Sequence, residues 1–539
     1  MDRRKLPIGG VQTFSRLRKE YDVYVDKTLH IYNMASMYQT VFLSRPRRFG
    51  KSLLCSTIAS LFRNEKELFE GLAISKTDWK WNAHPVIYID LSAANYTEDG
   101  VETLKAKINS QLSNCAKDYE AYIGFVEYTS INFQQLIIEL SKKYGNAVVI
   151  IDEYDYPLLS TIDQEDVNKK LREELKGFYG VIKQYGEFIR FAFITGVTKF
   201  AQVSVFSGMN QAKDISMMPD YFDICGITQD DLEKYFAPEI GNYSEKHGGR
   251  ENYLNMLRDF YNGYYFTENK ISVYNTYGIL NHFDNSAKFA PFWSLSGAPS
   301  FLLKYLEMKN VNIAEIEEAK MEAGNFGDYR DNTITLFPLL YQAGYLTISD
   351  YDERTGFYKL NYPNVEVRKT LAEFFSDNYS AAETALRKSV SVRLLGSLLG
   401  GKPEEFMNLL KAYLQKVDYS LSSKITEFYF EFAVSNIINM LGLVCVNEVH
   451  TANGRMDSVI FAGDYIYILE FKTDKPVEDA LWQIEDKNYA LIYADSGKKI
   501  VEIGVVFSRE KRNILEWGMG SRDKIAIPND LRSEELCIT

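Results

Sequence analysis

Two hydrophobic patterns alternate over about the first 225 residues of this 539-residue chain. Residues 148–151 form an unbroken β-branched run, as in a strand covered on both faces, 41–43 is a short apolar run of strand type, and 86–92 and 189–196 fit as strands of the same sheet. After Gly50 the apolar positions change period: Leu53, Leu54, Ile58, Leu61 and Phe62 recur at helical spacing. This alternation predicts a mostly parallel sheet flanked by helices. From "GITQDDLEKYFAPEI" onward helical spacing dominates, with Thr228 placed as an N-cap. "YNGYYFTENKISVYN" (261–275) reads as a hairpin turning near Glu268 and Asn269. Between 335 and 376 a helix, a hairpin around 354–356 and a second helix follow one another, a winged-helix-like order. That hairpin is either structural or a DNA-reading wing. Gly-Gly-Lys-Pro within 385–402 and just beyond offers a boundary. The expected divisions are 1–225, 226–390 and 391–539.

The first chemistry lies where strand 41–43 hands over to the helix, in "TVFLSRPRRFGKSLLCSTIASLF" (40–62). Gly-Lys-Ser alone is common by chance, but at a strand-to-helix junction free N–H groups and the helix dipole favour an anion. Lys51 is placed to reach β- and γ-phosphates, and the Ser52 hydroxyl to take a position on Mg²⁺. Arg45 stands where a phosphate loop has its first glycine, and Pro46, Arg47, Arg48 and Phe49 complete the turn. One of Arg47 and Arg48 is placed to contact the γ-phosphate, or both bind nearby acids. The alternative to a phosphate loop is a basic turn capping a helix.

A second half-site strengthens the first reading. In "NAVVIIDEYDYPLL" a β-branched run ends in Asp152 and Glu153, at the strand end where open α/β sheets bind ligands. Asp152 is expected to hold Mg²⁺ and Glu153 to orient or deprotonate the attacking water. Thr195, next to last in "IRFAFITG", is a candidate contact for the γ-phosphate or the water. A strand added between the two motifs, with a second acid after the aspartate, is the arrangement of ATPases that use glutamate as base.

Another constellation lies near the C-terminal end, in "GRMDSVIFAGDYIYILEFKTDKPVEDALWQIEDKNYA". Two strands surround a turn at 462–464. In the second, Ile466, Ile468, Glu470 and Lys472 share one face, because side chains alternate with period two. Asp457 on the partner strand is placed to face Glu470. Asp457 and Glu470 can coordinate Mg²⁺, and Lys472 can orient the water and stabilise charge on a phosphate. Glu427, on a preceding helix, is a candidate support for the metal, and Gln483, four residues before Lys487 on a following one, is a candidate catalytic residue. This helix–hairpin–helix order resembles the restriction-endonuclease-like core. Active nuclease, nuclease-shaped binding module and structural domain remain open from the residues alone.

Composition restricts the partners. Net charge is −12 with 46% hydrophobic, 25% charged and 14% aromatic residues, enough to bury two or three cores and contrary to disorder. From 387 to 539 there are 19 Lys and Arg against 22 Asp and Glu, or −3, so nucleic acid would meet a local groove instead of a long basic track. No apolar run approaches a membrane span, and "MDRRKLPIGG" lacks the core of a signal peptide. Five cysteines (55, 115, 225, 445, 537) form no CxxC pair, which fits a reducing cytoplasm.

"LPIGGVQTFSRLRKEYDVYVDKT", "FLSRPRRFGKS", "VVIIDEYDYPL" and "FITGVTKFAQVSVFSGMN" resemble bacterial AAA-ATPase-like proteins with a C-terminal PD-(D/E)xK nuclease-like domain. The resemblance runs over nearly the whole chain, including "YNGYYF" and "LLYQAGYLTI". It implies ATP as the nucleotide, where the sequence alone gives a triphosphate with Mg²⁺. It also makes "RPRRFGKS" the family's own loop, with Arg45 in place of glycine as a family trait. "RMDSVI" stands where the family has "RIDLVV", so the metal aspartate is retained beside a changed neighbour. The implied whole is a P-loop NTPase α/β core of the glutamate-base type, a helical and winged-helix-like middle region, and a restriction-endonuclease-like α/β domain. DNA is expected over RNA as the partner, no membrane is expected, and assembly into an oligomer stays open. Two functions compete: ATP turnover coupled to a Mg²⁺-dependent nuclease, or an ATP-driven switch whose nuclease-like domain only binds nucleic acid or a protein.

Overall fold

The computed structural model describes residues 4–8, 11–199, 212–295, 320–322, 336–371, 393–414, 434–435, 437–438, 441, 443–451, 454–511 and 513–520. They fall into two compact units, Met1–Val367 and Arg368–Thr539.

The first unit is built on five parallel strands: β1 (Thr40–Ser44), β2 (Val86–Asp90), β3 (Ala147–Asp152), β4 (Ile189–Gly196) and β5 (Lys213–Asp214). Their spatial order is β2-β3-β4-β1-β5. Every residue of β1 and β3 is buried, which is why these strands read as unbroken apolar runs. The strand standing between the loop strand and the acidic strand is β4, which follows both in sequence. The segment 86–92 supplies β2 at the edge. Helices Gly100–Asp118, Thr129–Tyr144 and Glu165–Gln184 bury residues three or four apart, such as Leu104, Ile108 and Leu112, and Leu171, Leu175 and Phe178. Phe133 and Phe178 stack at 4.6 Å. Each such side chain stabilises by about 1.5–3 kcal/mol.

A second core joins Leu6 and Val23 of the N-terminal segment to Ile227, Leu232, Phe236, Tyr253, Leu257, Ile279 and Phe283. Thr228 caps its first helix in a reciprocal box: its Oγ1 accepts from Asp231 N–H at 3.0 Å, and Asp231 Oδ2 accepts from Thr228 N–H at 3.2 Å. The 261–275 segment folds back through a Tyr264–Val273 bridge, with its turn at 268–269. Helix Leu336–Ala343 leads into the hairpin β7 (Thr347–Asp352) and β8 (Phe357–Asn361), and β6 (Lys320–Glu322) pairs with β8 to make three strands.

The second unit holds a mixed sheet of β9 (Val444–Thr451), β10 (Gly454–Ala462), β11 (Tyr465–Thr473), β12 (Lys499–Ser508) and β13 (Asn513–Met519), ordered β13-β12-β11-β10-β9. β11 and β12 are parallel and the other pairs antiparallel. The parallel pair needs a crossover, which helix Val477–Asp486 supplies. That helix lies close on the sheet because β12 and β13 carry glycines beneath it: a Cβ at Gly504 would stand 3.0 Å from Ala480 and 3.1 Å from Leu481. One face of the sheet packs Met456, Val459, Ile466, Ile468, Ile484 and Tyr489, and the other packs Tyr467, Leu469, Phe471, Phe406, Met407 and Leu410. The Gly-Gly-Lys-Pro segment lies within this unit, turning between helix 393–399 and helix Pro403–Leu414. Among the described residues no helix is long and apolar enough to cross a membrane.

Candidate functional site

In the first unit the chain leaves β1 through 45–49 and enters helix Lys51–Phe62 with Gly50 as N-cap in the left-handed region, φ 96°. The first N–H groups of that helix have no partner within it and face a cavity of about 390 Å³. Lys51 is buried; its Nζ lies 3.3 Å from the Pro46 carbonyl and 3.4 Å from Glu153 Oε1. Asp152, at the end of β3, is also buried. Its Oδ1 accepts from the Glu153 N–H at 2.9 Å, its Oδ2 accepts from the Tyr88 hydroxyl at 3.2 Å, and Ser52 adds a further side-chain bond. Burial, then the neighbouring Glu153 carboxylate, push the Asp152 pKa up, and Ser52 and Lys51 only partly offset this. Glu153 has a left-handed backbone, φ 50°.

The structure brings Arg47, Arg48, Phe49, Gly50, Lys51, Ser52 and Glu153 to the wall of one cavity. Its remaining walls include Val11 and Val25 of the N-terminal segment, Ile227, and Leu280 and Asn281 of helix Thr276–Asp284. The arginines separate. Arg45 points away from the cavity and is buried; its Nη1 donates to the Ser44 and Ser216 carbonyls at 2.9 and 2.7 Å, its Nη2 donates to the Tyr221 carbonyl at 3.0 Å, and it stacks 4.1 Å over Phe266. Arg45 therefore fastens the loop to segment 216–222. Pro46 packs under Gly344, where any Cβ would stand 2.8 Å from the proline ring. The Arg47 carbonyl accepts from Trp293 Nε1 at 3.1 Å, and Phe49 is buried against Tyr264 and Phe266 at 4.8 and 5.5 Å. Thr195 is not brought to the cavity. It is fully buried and its hydroxyl donates to the Leu43 carbonyl at 2.7 Å, tying β4 to β1.

Two further acids matter here. Asp90 pairs in register with Asp152 and lines the cavity. An acid closing a parallel strand is a readable signal, and the 86–92 run ends with one. Asp155, fully buried, accepts from Val197 N–H at 3.2 Å and from the Thr198 N–H and hydroxyl at 2.6 and 2.7 Å. It locks the chain leaving β4 against the acidic motif. Gly196 permits this approach, since a Cβ would meet the Asp155 carboxylate and stand 2.5 Å from the Tyr154 ring.

In the second unit, Ser458 pairs with Leu469, which sets Asp457 opposite Glu470 one step along. Asp457 Oδ2 accepts from the Phe471 N–H at 2.7 Å. Glu470 is fully buried; its Oε1 accepts from Lys472 Nζ at 2.9 Å, and Lys472 also donates to the Phe471 carbonyl at 3.0 Å. Glu470 Oε2 is buried with no hydrogen bond, beside the Asp457 carboxylate. Burial, then Asp457, push the Glu470 pKa up. Gln483 donates to the Tyr489 hydroxyl at 3.3 Å, and that hydroxyl donates to the Arg455 carbonyl at 2.5 Å. Tyr489, whose pKa is raised by burial and then, against the Gln483 bond, by Glu470 and Asp457, thus stands beside the carboxylates. It lies beyond the helix carrying Gln483 and has no sequence signal of its own. Glu427 lies outside the described residues.

A divalent cation fits both donor sets. The unbonded Glu470 Oε2 beside Asp457, and the Ser52–Asp152 pair at a phosphate loop, offer hard oxygen ligands. Among the described residues no group of three or more His, Cys, Asp or Glu is suited to a metal, so water and phosphate oxygens would complete either shell.

Comparison with known families agrees with this geometry. Residues 7–206 match a family described as a predicted AAA-ATPase, and residues 425–517 match the PD-(D/E)XK nuclease superfamily. A protein of Azotobacter chroococcum mcd 1, named "Uncharacterized protein in vnfD 5'region", is 32% identical over 530 residues, covering 96% of this chain and 98% of its own. The first unit is a P-loop α/β fold and the second a nuclease-like α/β domain, and the chain belongs to the family of predicted AAA-ATPases with a C-terminal PD-(D/E)XK nuclease-superfamily domain.

Proposed function

We propose that the first unit binds and hydrolyses ATP and that the second cuts nucleic acid, DNA in preference to RNA, each with Mg²⁺. One observation carries the reading: each unit sets two carboxylates and one lysine together, Asp152, Glu153 and Lys51 in one and Asp457, Glu470 and Lys472 in the other. Lys51 and the first N–H groups of its helix hold the β- and γ-phosphates. A phosphate there offers Lys51 a new partner, releasing Glu153 to take the proton of the attacking water. Ser52 and Asp152 are the residues that would hold Mg²⁺, which when bound neutralises phosphate charge. In the second unit Asp457 and Glu470 would hold the cation. Lys472 orients the water and stabilises charge on the scissile phosphate, while Gln483 and Tyr489 fix the start of β10.

A switch whose nuclease-like domain only binds nucleic acid or a protein is favoured by one observation, the −3 balance of residues 387–539. The test uses the full chain on plasmid, single-stranded DNA and RNA, with and without ATP and Mg²⁺ or Mn²⁺. Lys51→Ala should abolish ATP turnover, Glu153→Gln should bind ATP without turnover, and Asp457→Ala should stop cleavage while sparing ATP hydrolysis. Equal turnover by all forms refutes the first assignment, and no cleavage under any condition refutes the second.

A further inference from the structure

We infer that Arg48 is a catalytic arginine supplied by the phosphate loop itself, and that the Tyr277 ring holds it until the terminal phosphate of the nucleotide draws it away. This rests on the nucleotide reading above. The three loop arginines differ in what they can still do. Arg45 is buried with its guanidinium committed to backbone carbonyls, and Arg47 is half-buried, its main-chain carbonyl held by Trp293. Arg48 is exposed, with no carboxylate partner among the described residues. Its guanidinium lies 5.0 Å from the centre of the Tyr277 ring. Tyr277 stands in the first turn of helix Thr276–Asp284 and lines the same cavity as Arg48, Lys51 and Glu153.

Two features favour a moving cation over an ornament of the surface. Arg48 has φ 67°, a left-handed conformation that suits glycine, so strain is accepted to place a side chain here. Glu153, on the wall of the same cavity, is engaged by Lys51 at 3.4 Å and forms no ion pair with Arg48. A contact between a guanidinium and the half-buried Tyr277 face is weaker than a charge-assisted hydrogen bond, so it orients the guanidinium without committing it. A triphosphate in the cavity offers a stronger, charge-assisted partner. In the reaction the water oxygen bonds to the γ-phosphorus and its proton passes to Glu153. The bond from that phosphorus to the β–γ bridging oxygen breaks, its electron pair staying on that oxygen, to give ADP and inorganic phosphate. Arg48 forms no bond and takes no proton. Its N–H groups stabilise the charge on the γ-phosphoryl oxygens.

The test measures steady-state ATP turnover and equilibrium binding of ADP and ATP with Mg²⁺, on the full chain. Arg48→Ala and Arg48→Gln should lower kcat by roughly a hundredfold or more while leaving ADP affinity within about twofold, because ADP lacks the phosphate that Arg48 meets. Tyr277→Leu should raise kcat/KM by about two- to fivefold and Tyr277→Trp should lower it, since each shifts the resting contact. Both Tyr277 effects should vanish in the Arg48→Ala background. The inference is overturned by unchanged turnover in Arg48→Ala, by ADP affinity falling as far as ATP affinity, or by Tyr277 effects that persist without Arg48. A wild-type chain that binds no triphosphate overturns the site and the inference together, whereas binding and turnover that ignore Arg48 overturn the inference alone.

Discussion

Replacing Glu470 by Gln should stabilise the second unit at pH 8, although it removes half of a buried ion pair. Glu470 sits in the middle of β11, fully buried, with Asp457 opposite and Lys472 as a cationic neighbour. Burial and Asp457 together outweigh Lys472, so the carboxyl holds its proton to higher pH than in an unfolded chain. The sign follows from linkage. Between the unfolded pKa near ~4.3 and the raised folded value, the folded state keeps a proton that the unfolded state has lost. Stability of the wild type therefore falls as pH rises through that window and levels off above it. Each unit of displacement corresponds to about 1.4 kcal/mol. Glutamine resembles the protonated acid and keeps an oxygen for Lys472, so the gain at pH 8 should be about 1–3 kcal/mol and should disappear near pH 4. Hydrogen exchange of the β11 amides, normalised for intrinsic rates at pH 5 and 8, measures it directly. Added Mg²⁺ should raise protection in the wild type and not in the variant. Lower protection in Glu470→Gln than in wild type at pH 8 would refute the reasoning and make Glu470 the structural partner of Lys472.

Gly196→Ala should cost about 1–3 kcal/mol, because the added methyl meets the Tyr154 ring and the Asp155 carboxylate, and thermal unfolding of the first unit would show it. Tyr489→Phe removes the bonds to Arg455 and Gln483 and should cost about 1 kcal/mol while slowing cleavage roughly tenfold; unchanged cleavage would remove Tyr489 from the site. Mg²⁺ binding near pH 6 should release protons from Asp152 and Glu470, so calorimetric heats should depend on the buffer's ionisation enthalpy. Affinity for Mg²⁺ should fall as pH is lowered, and heats independent of buffer would contradict the raised carboxylates.

What the sequence made legible was local. The buried strands announced themselves as apolar runs, and the Thr228 cap lies three residues from its Asp231 partner. Asp457 faces Glu470 because a short turn between β10 and β11 fixes the register of the hairpin. What stayed hidden depended on distant partners. Nothing in the period of 189–196 says that β4 enters between β1 and β3, since crossover packing decides that order. Arg45 and Thr195 have the residue types and positions of phosphate contacts, yet their side chains turn to Ser216, Tyr221 and Leu43, all far along the chain. The three residues of β6 are too few to carry a pattern, and its pairing with β8 comes from packing.

The loop that lacks its first glycine is better understood as a different solution to the same mechanical problem. A glycine there relieves strain by letting the backbone turn freely. At this site, besides Gly50, left-handed backbone falls on Arg48 of the loop and on Glu153, positions that cost on the order of 1–3 kcal/mol each. Such a conformation persists only where its surroundings over-determine it. Arg45 supplies hydrogen bonds to carbonyls of segment 216–222, Phe49 fills a space between Tyr264 and Phe266, and Pro46 closes on Gly344. Every one of these anchors lies outside the loop, in residues 216–344. The turn that a glycine-rich loop makes without strain is here held in place by the residues that follow the sheet. A change that loosens those residues should therefore relax the loop, even where it touches neither nucleotide nor metal.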